Sequence, residues 1–151
     1  MKIKIELCES LSEPEVTVRC QRVTDDVQRI EKAVRDTARS GITFYKDNTE
    51  FYLDTDSILF FETDGGVVHA HTADDSFRTD RKLYELEDIL PQRFVRVSKS
   101  AILNVDHVYS VERSLTSASL VTFRQSHKNI YISRSYYRIF KERILSRRTL
   151  S

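Results

Sequence analysis

Three short polar interruptions in otherwise apolar, strand-like sequence hold the side chains best suited to chemistry: Thr63-Asp64-Gly65-Gly66, Ser98-Lys99-Ser100 and Ser133-Arg134-Ser135. A guanidinium on a short turn, as at Arg134, can fork onto the O6 and N7 of a guanine, a contact worth about 1–3 kcal/mol of base discrimination. Lys99 offers a compact charge for a phosphate or a guanine edge, and the hydroxyls of Ser98, Ser100 and Ser133 are positioning donors. Arg138 follows Arg134 on the polar side of a C-terminal helical stretch and completes the basic set. If the intervening strands form a meander, these loops gather on one edge and can track a duplex without a recognition helix.

Other chemistries find little support. Only Gly41, Gly65 and Gly66 are glycines, so no glycine-rich phosphate cradle exists, and no CxxC, His-Glu-x-x-His or Gly-x-Ser-x-Gly motif occurs. His69-Ala70-His71 would put two imidazoles on one face of a strand, but a zinc site needs three or four ligands. The carboxylates between Asp54 and Asp88 scatter over several elements and suit a solvated surface. The expectation is a non-enzyme with no cofactor and no metal.

The net charge of +1 conceals an asymmetry: residues 1–50 carry −1, residues 51–92 carry −7 and residues 93–151 carry +9. A basic final segment suits a polyanion such as DNA. The competing reading is a protein-interaction or oligomerisation module whose acidic and basic segments dock between subunits. Cys8 and Cys20 fall on patterns that do not favour a disulfide, and no apolar run approaches the roughly 20 residues of a membrane span, so a cytoplasmic protein is expected.

The elements that must position these groups are read from periodicity. Met1–Leu7 and Glu15–Cys20 alternate apolar and polar residues on either side of the Glu13-Pro14 break and predict paired strands. Thr24-Asp25-Asp26 caps a helix carrying Val27, Ile30, Val34 and Ala38 on one stripe, ending near Ser40-Gly41. Together they predict a small β-β-α appendage over residues 1–50, suited to packing or dimerisation. Ile42–Phe44 and Phe51–Leu53 flank a turn. Strands follow at 56–62, 67–72 and 76–79, making a meander, then a helix at 81–90 with Asp80 as N-cap. Strands at 108–112, 120–124 and 129–133 and a final helix at 135–147 complete a mainly β, α+β chain.

In order along the chain, five segments carry a resemblance: Asp56-Ser57-Ile58-Leu59-Phe60-Phe61-Glu62; Leu83-Tyr84-Glu85-Leu86 with Leu90; Phe94 to Asn104; Val108 to Val111; and Ile132-Ser133-Arg134-Ser135-Tyr136. Through them the chain resembles the LytTR family of bacterial DNA-binding domains. The resemblance implies an elongated, mostly β fold with few short helices, assigned to residues 51–148. Two loops would enter successive major grooves, with one at the intervening minor groove. By position, Arg134 matches the family's major-groove arginine, Lys99 the basic or amide residue of its middle loop, and Asn104 a structural asparagine. Ser98 stands where many members have histidine. The first loop carries an acid, leaving Thr63 or the backbone of Gly65 and Gly66 for its contact. The N-terminal segment does not resemble a receiver domain.

The sequence therefore predicts a sequence-specific, response-regulator-like bacterial transcription regulator without a phosphoacceptor. It is expected to bind double-stranded promoter DNA with spaced direct repeats, as a homodimer, and to be held by a membrane-protein inhibitor.

Overall fold

Apolar runs without alternation, such as Ile58-Leu59-Phe60-Phe61 and Ala101-Ile102-Leu103, require a sheet covered on both faces. The computed structural model, which describes residues 1–12, 14–38 and 41–149, shows that arrangement. The chain divides into two compact units after Ala38.

The first unit contains α1 (Asp25–Ala38), opened by Asp25 and Asp26, whose carboxylates suit the positive end of the helix dipole. Residues 1–12 and 14–20 form no strand ladder, so the paired strands expected there are absent among the described residues and only the helix of the β-β-α appendage is present. Glu13 and Ser40, which entered the expected break and helix end, lie outside the described residues.

The second unit holds a seven-stranded antiparallel sheet and a three-stranded one. The first contains β1 (Phe44–Lys46), β2 (Thr49–Phe51), β3 (Phe60–Asp64), β4 (Val67–His71), β5 (Ser76–Thr79), β6 (Phe94–Ser98) and β7 (Ala101–Asn104), in the order β2-β1-β5-β4-β3-β7-β6. The second contains β8 (Val108–Glu112), β9 (Ser119–Phe123) and β10 (Asn129–Ile132), in the order β10-β9-β8. Helix α2 (Leu83–Ile89) precedes β6, and α3 (Tyr137–Thr149) ends the chain after a 3-10 turn at Arg134–Tyr136.

Adjacent residues of β3 and β7 face different cores. Phe60 and Leu103 join Val95, Val97, Val121, Phe123, Ile130, Ile132 and Phe140 on one side. Phe61 and Ile102 join Phe44, Val68, Phe77, Phe94, Leu83 and Leu86 on the other. Fully burying each such side chain contributes roughly 1.5–3 kcal/mol, which holds the central strands rigid beneath their loops. Asn104, fully buried, donates from Nδ2 to the Ile58 carbonyl at 3.1 Å and accepts from the Asp106 N–H at 3.1 Å. Its amide thus satisfies backbone that would otherwise be stranded in the core.

Several expected boundaries shift for local reasons. The run from Asp56 splits into a 3-10 turn at Thr55–Ser57 and a strand starting at Phe60. Lys82, not Asp80, is the α2 N-cap, because Glu85 reaches back to accept from the Lys82 N–H at 3.1 Å. The meander holds for β3-β4-β5, but the β1–β2 hairpin adds beyond β5, with Phe44 opposite Thr79, and not beside β3. That hairpin spans the expected domain boundary at residue 50 and is part of the sheet.

Candidate nucleic-acid interface

Strand pairing brings the three polar loops to one edge. Gly65 and Gly66 both have positive φ (58° and 81°), as a two-residue turn between paired Asp64 and Val67 requires. Thr63, at the base of this turn, donates its N–H to the Ser100 carbonyl at 2.8 Å. On the opposite flank of the middle loop, the Ser133 N–H donates to the Val97 carbonyl at 2.9 Å, and the Ser133 hydroxyl lies 3.4 Å from the same oxygen. The order across the edge is therefore 63–66, 98–100, 133–135, with the Lys99 turn in the centre.

The middle turn is held by a residue whose role the sequence reading missed. Half-buried Arg96 donates from Nε to the Ser98 carbonyl at 2.6 Å and from Nη2 to the Lys99 carbonyl, while Nη1 pairs with the Glu87 carboxylate of α2. One planar guanidinium thus fastens two consecutive turn carbonyls to a helix, which a lysine ammonium has no geometry to copy. The bulge between Arg96 and Ser98 bends the strand at this point. The Ser98 hydroxyl accepts from the Ser100 N–H at 3.1 Å, so it shapes the turn from within. The only signal for Arg96 was an arginine in an apolar strand, beside an acidic helix in sequence.

The basic charge of the last segment is mostly engaged inside the fold. Arg93 pairs with Asp56, Arg96 with Glu87 and Arg147 with Asp106. Arg143 donates to the Gln92 and Phe94 carbonyls at 2.8 Å each, with burial depressing its pKa. Arg124 donates to the Asp106 carbonyl, Lys128 to that of Asp75, and Arg113 sits over the Tyr137 ring at 4.6 Å. Arg138 pairs with Glu142 one turn along α3. Among the described residues, no ion pair or side-chain hydrogen bond engages exposed Lys99, Arg134 or Lys141. Two of these three lie on the loop edge, and Lys141 lies seven residues beyond Arg134 on the flanking helix.

His69 and His71, the metal-like pair, lie on β4. His71 stacks on Phe60 with ring centroids 4.4 Å apart, and burial lowers its pKa to about 4. Among the described residues, no group of three or more His, Cys, Asp or Glu side chains is arranged to hold a metal ion.

The fold and this edge define a β-rich module that presents basic turns on a rigid antiparallel scaffold. The chain belongs to the LytTr DNA-binding domain family, which matches residues 48–145. It is therefore a DNA-binding protein. It is similar to uncharacterized HTH-type transcriptional regulators of Staphylococcus aureus. The relative from strain COL is 28% identical over 145 residues, covering 95% of this chain and 98% of the relative. The one from strain bovine RF122 / ET3-1 is 29% identical over 147 residues, with the same coverage. A solved LytTr DNA-binding domain from Bacillus cereus superposes with a TM-score of 0.63 at 19% identity, covering 68% of this chain and 95% of that one. Among the described residues no two α-helices follow one another as a helix-turn-helix, since strands separate all three.

Proposed function

We propose that the protein is a sequence-specific transcription regulator that contacts successive grooves of promoter DNA through its loop edge. The observation carrying this reading is the convergence of three loops on one edge, with the uncommitted cations Lys99 and Arg134 upon it. Arg134 reads a guanine edge, and Lys99 contacts phosphate or a base edge in the intervening groove. Ser98, Ser100, Ser133 and Thr63 orient the backbone through hydroxyl donors, and Arg138 adds a phosphate contact from α3. Residues 51–148 form the DNA-binding unit, with the β1–β2 hairpin as an outer border of its sheet. The protein works as a homodimer on spaced direct repeats in the cytoplasm, without catalytic activity. A membrane-protein inhibitor is a further part of the proposal.

The alternative, docking between acidic and basic segments of two subunits, is weakened by the number of those charges already paired within one chain. Gel-shift titration on promoter fragments at several salt concentrations tests the reading. Specific binding with a steep salt slope is expected, and equal affinity for a scrambled fragment would overturn sequence reading. Pull-down from membranes tests the inhibitor, and recovery of no integral membrane protein would remove it.

A further inference from the structure

The Met1–Ala38 unit leaves an alternating apolar pattern uncovered. Ile3 and Ile5 are each 86% exposed, Leu7 97%, Val16 63% and Val18 41%. Among the described residues, 1–7 and 14–20 belong to no ladder, and no backbone hydrogen bond joins the two segments. Apolar alternation on backbone outside any ladder is the sequence pattern of a strand that lacks a partner.

Charge placement in Glu15–Arg19 suits a second copy of the same segment. An in-chain hairpin with Ile5 opposite Val16 and Ile3 opposite Val18 would set Glu6 against Glu15 and Lys2 against Arg19, which are like charges at both positions. The segment Glu15-Val16-Thr17-Val18-Arg19 is instead complementary to itself. Antiparallel pairing with a second copy about Thr17 places Glu15 opposite Arg19, Val16 opposite Val18 and Thr17 opposite Thr17. Opposite charges, β-branched pairs and a threonine pair are each favourable cross-strand combinations. Met1–Leu7, centred on Lys4, would bring two ammonium groups together on the axis, so it suits an outer position. Val27, Ile30 and Val34 form a half-buried stripe on α1 in the same unit.

We propose that this unit is a homodimerisation element in which Glu15–Arg19 pairs antiparallel with the same segment of a second copy, the twofold axis passing through Thr17. The proposal rests on the homodimer of the preceding reading and not on its DNA contacts, so mass is measured without DNA.

Light scattering on the full chain at about 100 µM, well above micromolar dissociation constants, is expected to give a dimer. Glu15→Arg and Arg19→Glu each place like charges across the axis and are expected to weaken dimerisation by roughly tenfold or more, and the double swap to restore it. In a chain with Cys8 and Cys20 changed to serine, Thr17→Cys is expected to oxidise to a covalent dimer, because directly opposed residues lie within disulfide reach. A monomeric wild type, single swaps that dimerise normally, a double swap that stays monomeric, or failure of Thr17→Cys to cross-link would each overturn the proposal. Affinity for a single half-site is measured in parallel and is expected to be unchanged in Glu15→Arg. Loss of DNA binding by the dimeric wild type would bear on the DNA reading alone.

Discussion

The Ser133 N–H donates to the Val97 carbonyl at 2.9 Å, and this bond joins the turn that carries Arg134 to the strand that leads into Lys99. The two cations are far apart in sequence and lie on turns that adjoin different sheets. Their mutual position is set by backbone bonding above a continuous core, in which Val97 and Ile132 are both fully buried. A joint of this kind fixes the spacing of the two turns that carry these side chains.

Arg134→Ala is expected to weaken binding to the cognate site by about 5- to 150-fold, corresponding to about 1–3 kcal/mol, with discrimination lost at one base pair. Arg134→Lys keeps the charge but not the fork, so non-specific affinity is expected to survive while specificity does not. Competition gel shifts with single-base operator variants measure both.

Replacement of Lys99 by alanine should act on cognate and scrambled DNA more evenly. If it meets phosphate, the slope of log affinity against log salt falls by about 1. An unchanged salt slope would assign Lys99 to a base edge or to no contact.

Arg96→Ala releases two turn carbonyls and the Glu87 carboxylate together. The expected stability loss is about 1–3 kcal/mol, from partly buried groups left without partners. DNA affinity is expected to fall beyond what unfolding explains, because the Lys99 turn loses its anchor. Arg96→Lys should recover little of it. Urea midpoints with gel shifts on the folded fraction separate the two effects.

Stability should depend on pH through His71. Burial lowers its folded-state pKa from 6.5 to about 4, so the unfolded chain binds the proton more readily between those values. The ring's contribution is full above pH 6.5 and is lost as pH falls toward 4. Partial solvent screening leaves on the order of 2 kcal/mol of the linkage. A His71→Phe variant, which keeps an aromatic ring against Phe60, should flatten this part of the stability profile in urea melts taken from pH 7 to pH 4.

Much of the architecture was legible because period and punctuation are local. The alternation in Ile130 and Ile132, the glycine pair at 65–66 and the apolar stripe of Leu83 and Leu86 depend only on neighbours in sequence. Lys99 and Arg134 were legible for the same reason, since a basic residue flanked by serines between apolar runs must lie on a turn. Residues 1–20 show where this logic stops. Alternation says which side of a strand is apolar, but a strand also needs a neighbour for its backbone, and among the described residues none pairs with that segment.

What the sequence determined by itself was therefore most of the elements from Phe44 onward, the apolar face of their strands, and the loops on which Lys99 and Arg134 sit. Tertiary structure decided which strands are neighbours and which charges remain for a partner. Strand order depends on pairings such as Phe44 with Thr79, which no local pattern encodes. The +9 of the last segment looked like a broad basic surface, yet half of its cations neutralise Asp56, Glu87 and Asp106 or satisfy backbone carbonyls. A charge count along the chain is blind to such pairing because Coulomb attraction acts through space, between residues that only the fold brings together.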